Sequence, residues 1–265
     1  MLETWDAIRL ERVNRSGRTK PLIVECSKIN PATATSERRE FLVKAIGLPE
    51  IREQSLFCEI TGNWLARELG VNTPTPVLVR LSDDFTGVIN QVLRGEGITL
   101  KTGIGAGCEY IKGGFTGFSS TSTITTEEIS QAILIYGFDI LLQNPDRRPD
   151  KPNLGFLGDR LIAFDFELAF SFLQPVIGLT CAPWEVAQNG LGPRHLFAKQ
   201  LSSQELDWKP LLHALEQVKI AQLDLLAELL PASWSGYMPQ MKTHLINLQE
   251  NLPKLEFELQ RSLKG

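Results

Sequence analysis

The hydrophobic period of this chain changes once, and that change constrains its fold more than any single motif. Up to about residue 93 the apolar residues come in short runs; from Thr126 onward they recur at intervals of three and four. Pro21–Cys26, Arg39–Lys44, Pro76–Arg80 and Gly87–Leu93 read as strands, the last two joined by a turn at Ser82–Phe85. Among them, Ser55–Leu69 spaces Leu56, Ile60, Trp64, Leu65 and Leu69 as a helix face, with Gly70, Pro74 and Pro76 as stop signals. In the second part Glu127–Gln143, Glu205–Glu228 and Met238–Leu263 read as helices, interrupted by two short apolar runs between Asn153 and Phe170. Strands first and helices later predict an α+β chain in two segregated parts, residues 1–94 and 95–265.

Bulk properties exclude several classes. With 265 residues, 43% of them hydrophobic, the chain can bury a sizeable core. A net charge of −4 supplies no basic field for nucleic acid or anionic lipid, so no direct nucleic-acid binding is expected. Met1–Arg12 has no basic region followed by an apolar one, as a signal peptide requires. The longest apolar stretch, Ile129–Gln143, contains Asp139 and is shorter than the roughly 20 residues of a membrane span. A cytoplasmic location is the resulting expectation. Cys26, Cys58, Cys108 and Cys181 are widely separated, which argues against a zinc site or a disulfide framework.

The chemistry concentrates between Leu142 and Phe170. There the sequence Asn144-Pro-Asp-Arg-Arg-Pro-Asp-Lys-Pro-Asn-Leu154 follows an apolar helix, and Asp165-Phe-Glu-Leu-Ala-Phe170 closes the second of two strand-like runs. Phosphoryl transfer needs one carboxylate near the attacking hydroxyl, plus an amide oxygen and a second carboxylate to hold metal against the phosphates. Asp146, Asn153 and Asp165 are spaced to supply them. Magnesium prefers oxygen ligands and takes only one or two protein carboxylates, which Asn153 and Asp165 would satisfy. Asp150 is a competing candidate for the metal. Asp146 with Arg147 and Arg148, taken alone, reads as a helix-end turn with a surface ion pair.

These segments resemble the catalytic and metal-binding stretches of HipA-like kinases, and more distantly those of phosphatidylinositol kinases and eukaryotic protein kinases. Upstream, Phe41-Leu-Val-Lys44 is similar to the family's strand lysine, and Glu59 to its helix glutamate. The resemblance implies a bilobal protein-kinase-like fold, with a small strand-rich N-terminal lobe, a larger mainly helical one, and ATP and Mg2+ between them. It implies that Lys44, steadied by Glu59, contacts the nucleotide phosphates, that Asn153 and Asp165 hold metal, and that Asp146 serves the acceptor hydroxyl. Lys20 and Lys28 compete with Lys44, but neither ends an apolar run just before a glutamate-bearing helix.

The chain departs from the family pattern in three places: a longer spacing between Asp146 and Asn153, Arg148 where histidine is usual, and Asp-Phe-Glu167 for Asp-Phe-Gly. No G-x-G-x-x-G precedes Lys44, and Gly103–Gly107 is a poor phosphate loop. The resemblance further implies Ser/Thr protein substrates, an antitoxin-like partner in a bacterial toxin or defence setting, and autophosphorylation at Thr33, Thr35 or Ser36. Ser119–Thr126 is a second hydroxyl-rich candidate, with Thr125 or Thr126 capping the next helix. Other readings stay open: a nucleotide-binding pseudokinase, a small-molecule or lipid kinase, or an AMP transferase on the same fold.

Overall fold

A computed structural model describes residues 2–264 apart from 16, 31, 120, 121, 123, 175–180 and 205. Five strands form a closed barrel in the order β1 (Glu3–Val13), β2 (Leu22–Ile29), β3 (Ser36–Lys44), β5 (Gly103–Glu109), β4 (Pro76–Leu81). Only the β1–β4 pair is parallel. β1 has register shifts between Ala7 and Arg9 and between Leu10 and Arg12, irregularities of the kind that bend a strand and help a sheet close. Trp5, Leu22, Val24, Phe41, Val43 and Val79 fill the interior.

Three assignments in the strand-rich part differ from the sequence reading. Glu3–Val13 is a strand, and its charged-apolar alternation has the period of one. The stretch read as a strand at Gly87–Leu93 belongs to helix α2 (Asp83–Leu93). Ser82 caps it, its Oγ accepting from Phe85 N at 3.1 Å, and Asp83 and Asp84 occupy its first turn, where acidic residues favour a helix. Phe85, Ile89 and Leu93 are buried at four-residue spacing while the β-branched Val88 and Val92 face out. β5, beyond residue 94, is the strand between β3 and β4, so the barrel draws on both sides of that position. Two of its three glycines, Gly105 and Gly107, serve close packing. A Cβ at Gly105 would lie 2.8 Å from the Lys44 carbonyl oxygen, and one at Gly107 2.9 Å from the methyls of Val77 and Val79.

Helix α1 (Glu53–Glu68) packs on β4 and β5 and carries Glu59. After β5 a short sheet, β6 (Phe115–Gly117), β7 (Leu154–Leu157) and β8 (Arg160–Ala163), flanks helix α3 (Ile129–Leu141). The rest is helical: α4 (Ala198–Leu201), α5 (Lys209–Gln217), α6 (Ile220–Leu229), α7 (Ala232–Ser235), α8 (Met238–Glu250) and α9 (Leu252–Ser262). The two long C-terminal helices of the sequence reading are each broken, at Val218-Lys219 and at Asn251, with Pro253 just inside the next helix. The result is a mixed α+β chain with a strand-rich first part and a helical second part. Among the described residues no helix is long and apolar enough to cross a membrane.

His244 on α8 ties that helix to the end of α3, its Nε2 donating to the Leu141 carbonyl at 2.7 Å while its ring stacks on Phe172. Burial pushes its pKa down to about 4. Between pH 6.5 and 4 the unfolded chain therefore takes up a proton that the folded chain refuses, and stability falls as pH drops. At about 1.4 kcal/mol per pKa unit the loss reaches about 3 kcal/mol by pH 4. His244→Gln, which can keep the bond to Leu141, is expected to flatten denaturation free energy against pH over this window; an unchanged slope would exclude His244 as the source.

Candidate active site

Lys44, at the end of β3, reaches into a group of three carboxylates. Its Nζ lies 2.9 Å from Glu59 Oε2, 2.5 Å from Asp165 Oδ1 and 2.8 Å from Glu167 Oε2. The first two contacts are hydrogen bonds; Glu167 Oε2 is buried near the ammonium but makes no hydrogen bond. Burial disfavours the charge on Lys44, yet Glu59, Asp165 and Glu167 outweigh it and hold its pKa well above the lysine range. Burial pushes Glu59 up against the pull of Lys44. Asp165 resists the same burial because Lys44, then Lys151 and Arg147, hold it below the usual carboxylate range.

The carboxylates come from elements pressed together by a missing side chain. Glu59 Oε2 also accepts from Phe166 N at 3.0 Å, which fastens the 165–167 segment to α1. This approach requires Gly62, where a Cβ would stand 2.8 Å from the Phe166 Cβ. Gly62→Ala is expected to cost about 1–3 kcal/mol in denaturant titrations, because the clash falls at the root of a fully buried ring rather than at a flexible tip. A variant as stable as wild type would show that the segment can shift freely.

Asp146 lies beside this group on the loop after α3 and is buried. Its Oδ2 accepts from Lys151 Nζ at 2.5 Å and Asn153 Nδ2 at 2.9 Å, and Lys151 Nζ also stands 3.7 Å from Asp165 Oδ2. Lys151 thus spans the two carboxylates. The Asn153 carbonyl accepts from Phe164 N at 3.1 Å, placing the residues before Asp165 against those around Asn153. Asn153 and Asp165 both have positive φ, 45° and 64°, as do Gln143 at 51° and Phe170 at 60°. Each such non-glycine position stores strain on the order of 1–3 kcal/mol, and such strain clusters at functional sites.

A buried ionic hub underlies the loop. Asp139 of α3 is fully enclosed and accepts from Asn144 Nδ2 at 2.7 Å and Arg147 Nε at 2.5 Å. His195 Nδ1 accepts from Phe197 N, which puts the ring proton on Nε2, 3.0 Å from Asp139 Oδ2. Burial holds His195 below its usual pKa despite Asp139, so it bonds as a neutral ring. Arg147 also donates to the Asn153 carbonyl and lies over the Phe166 ring. It is therefore no surface cation: its buried guanidinium joins α3, Asn153 and Phe166.

The remaining candidates lie elsewhere. Asp150 is 73% exposed and pairs with Arg148, away from the carboxylate group. Lys28 pairs with Glu3 and Lys20 with Glu96. Thr33 and Thr35 share a hydrogen bond in the exposed β2–β3 turn and Ser36 starts β3, while Pro31 lies outside the described residues. Ser120, Thr121 and Thr123 of the second hydroxyl-rich stretch are likewise outside them. Near the start of α3, Thr125 N donates to Glu128 Oε2 at 2.7 Å. Sequence reasoning missed Lys151 and gave Glu167 no contact with Lys44. Neither is marked by periodicity, since both sit in short irregular segments whose partners are distant in the chain.

No family model matches the chain, and no curated protein matches it in sequence. Among solved structures it is similar to a proinflammatory kinase of Helicobacter pylori, CtkA, with a TM-score of 0.54 and 11% sequence identity over 98% of each chain. At that identity the likeness concerns the fold: the course of a strand-rich first part and a helical second part.

Proposed function

We propose that this protein is a phosphotransferase that moves the γ-phosphoryl group of ATP to a hydroxyl, most simply a serine or threonine of a protein, on a bilobal kinase-like fold. The observation that carries the reading is the convergence of Lys44, Glu59 and Asp165 beside Asp146 and Asn153, from segments spread between residues 44 and 165. The fold it shares with a kinase agrees with this reading.

A divalent cation fits the donor set. Among the described residues, Glu59, Asp146, Asp165 and Glu167 form ion pairs with Lys44 and Lys151 alone, Arg147 being paired with Asp139, which leaves two more carboxylates than ammonium groups, and Glu167 Oε2 is a buried oxygen with no hydrogen bond. Glu59, Asp165 and Glu167 each offer an oxygen within 4.8 Å of the others. Asp165, with Asn153 or Glu167, would hold Mg2+, which when bound would neutralise phosphate charge.

The chain's own groups supply the rest. Lys44 offers a fixed positive charge to the phosphates, and Glu59 keeps its ammonium from swinging away. Asp146 accepts both of its described side-chain bonds on Oδ2, which leaves Oδ1 for the acceptor. As the acceptor oxygen bonds to phosphorus and the bond to the ADP oxygen breaks, the acceptor's proton passes to Asp146. Lys151, 2.5 Å from Asp146 and 3.7 Å from Asp165, offsets the repulsion between the two carboxylates.

The reading is tested by thermal melting with ATP, with and without Mg2+ and chelator. ATP with Mg2+ is expected to raise the melting temperature of wild type, and chelator or Asp165→Asn to remove the metal-dependent part of the rise. A rise that is the same in chelator and in Asp165→Asn would sink the assignment of Asp165.

A further inference from the structure

A small cavity lies against the loop that carries Asp146. Its volume is about 80 Å³, and Arg147, Arg148, Arg194, Asn144 and His195 line it together with the apolar Pro145 and Leu191. Two of these arginines have donors with no acceptor. Arg147 is 1% exposed, and although its Nε and one terminal nitrogen are bonded, its other terminal nitrogen is buried without a partner. Arg148 Nε is buried and equally unpartnered. Among the described residues no carboxylate pairs with Arg194.

The charges around the cavity favour an anion. Asp139, which does not line the cavity, pairs with Arg147 through Nε, and Asp150 meets Arg148 at 3.0 Å through a side chain that is 73% exposed and able to turn away. His195 is neutral and bonded at both nitrogens. Arg194 is left as uncompensated positive charge. Buried N–H groups without acceptors are rare in folded chains, and a guanidinium fork matches the paired oxygens of a phosphate or a carboxylate. The volume admits such an anion and excludes a nucleotide.

We infer that this cavity is a binding site for a phosphoryl group, gripped by Arg147, Arg148 and Arg194. The group is either free phosphate or the phosphate of a modified hydroxyl on this chain; the chemistry of recognition is the same. An anion there bridges the Asn144–Arg148 loop to the Leu191–His195 segment, a junction otherwise made by Leu196 N donating to the Arg147 carbonyl. The inference rests on the proposed function only in that Asn144 and Arg147 flank Asp146.

The test is calorimetric titration of inorganic phosphate into the full chain, without nucleotide or metal, so that the site and the catalytic reading can fail separately. Wild type is expected to bind phosphate saturably at one site. Arg194→Glu and Arg148→Glu, at partly exposed positions that tolerate substitution, should weaken binding at least tenfold, while Lys112→Glu, an equal charge change at a distant exposed lysine, should not. Absence of saturable binding, undiminished affinity in Arg194→Glu, or equal weakening by Lys112→Glu would overturn the site. Repeating the titration on phosphatase-treated chain and on chain preincubated with ATP and Mg2+ distinguishes the sources. Binding lost only after preincubation identifies a phosphorylated side chain of this protein as the occupant; equal binding in both identifies phosphate from solution.

Discussion

Replacement of Asp146 by alanine is expected to lower phosphoryl transfer by about 10²- to 10⁴-fold, the range typical for loss of a positioned general base. Nucleotide affinity should change little. The distinction follows from where the residue sits. Lys44, Glu59 and Asp165 form one connected group through the Lys44 ammonium, whereas Asp146 touches that group only through Lys151. Its removal takes away the carboxylate proposed to face the acceptor and leaves Lys44 fully held. Initial rates together with calorimetric nucleotide binding separate the two effects, and a fall in turnover without a matching loss of affinity marks an interaction made in the transition state. Asp146→Asn should retain the bond to Asn153 geometrically while losing the proton acceptor. Rates near wild type in either variant would remove Asp146 from the chemistry.

Asp139→Ala is expected to lose about 3–5 kcal/mol of stability, because it strands a buried guanidinium. Asp139 is 0% exposed and accepts from Asn144, Arg147 and His195. Burial would raise its pKa, but Arg147 and then His195 more than offset this and keep it an anion. Removing it leaves Arg147 enclosed among Phe166, Asn153 and α3 with no counter-charge. Natural domains are stable by only about 5–15 kcal/mol, so the variant should melt far earlier and show a lower denaturant midpoint. Adding Arg147→Met removes the stranded charge, and the double variant is expected to be more stable than the sum of the single losses allows. Additive losses would mean that the two residues do not act as a pair.

The legible parts of this molecule were those with a local signal. α1 announced itself by periodicity and stop signals, and Lys44 by closing an apolar run just before it. Asp146, Asn153 and Asp165 stood out because a polar loop and two short apolar runs separate them in an otherwise helical region. α2 was misread because Val88, Ile89 and Val92 are β-branched, although Phe85, Ile89 and Leu93 already repeat at four and Ser82-Asp-Asp is a helix start. β5 was missed because three glycines in seven residues look like a loop, although Gly105 and Gly107 are kept small by the Lys44 carbonyl of β3 and the Val77 and Val79 methyls of β4. Other features have no local mark at all. Gly62 is small for the sake of Phe166, and Arg147 is buried for the sake of Asp139 and Phe166; such contacts exist only once the chain has folded.

The central claim is γ-phosphoryl transfer dependent on Asp146. Its most direct test is intact-protein mass spectrometry after incubating wild type and Asp146→Ala with ATP, Mg2+ and a serine- and threonine-rich protein acceptor. Wild type is expected to add one or more phosphates to the chain or the acceptor, and Asp146→Ala none over the same time. A nucleotide-sized gain, or phosphate transfer undiminished in the variant, would contradict it.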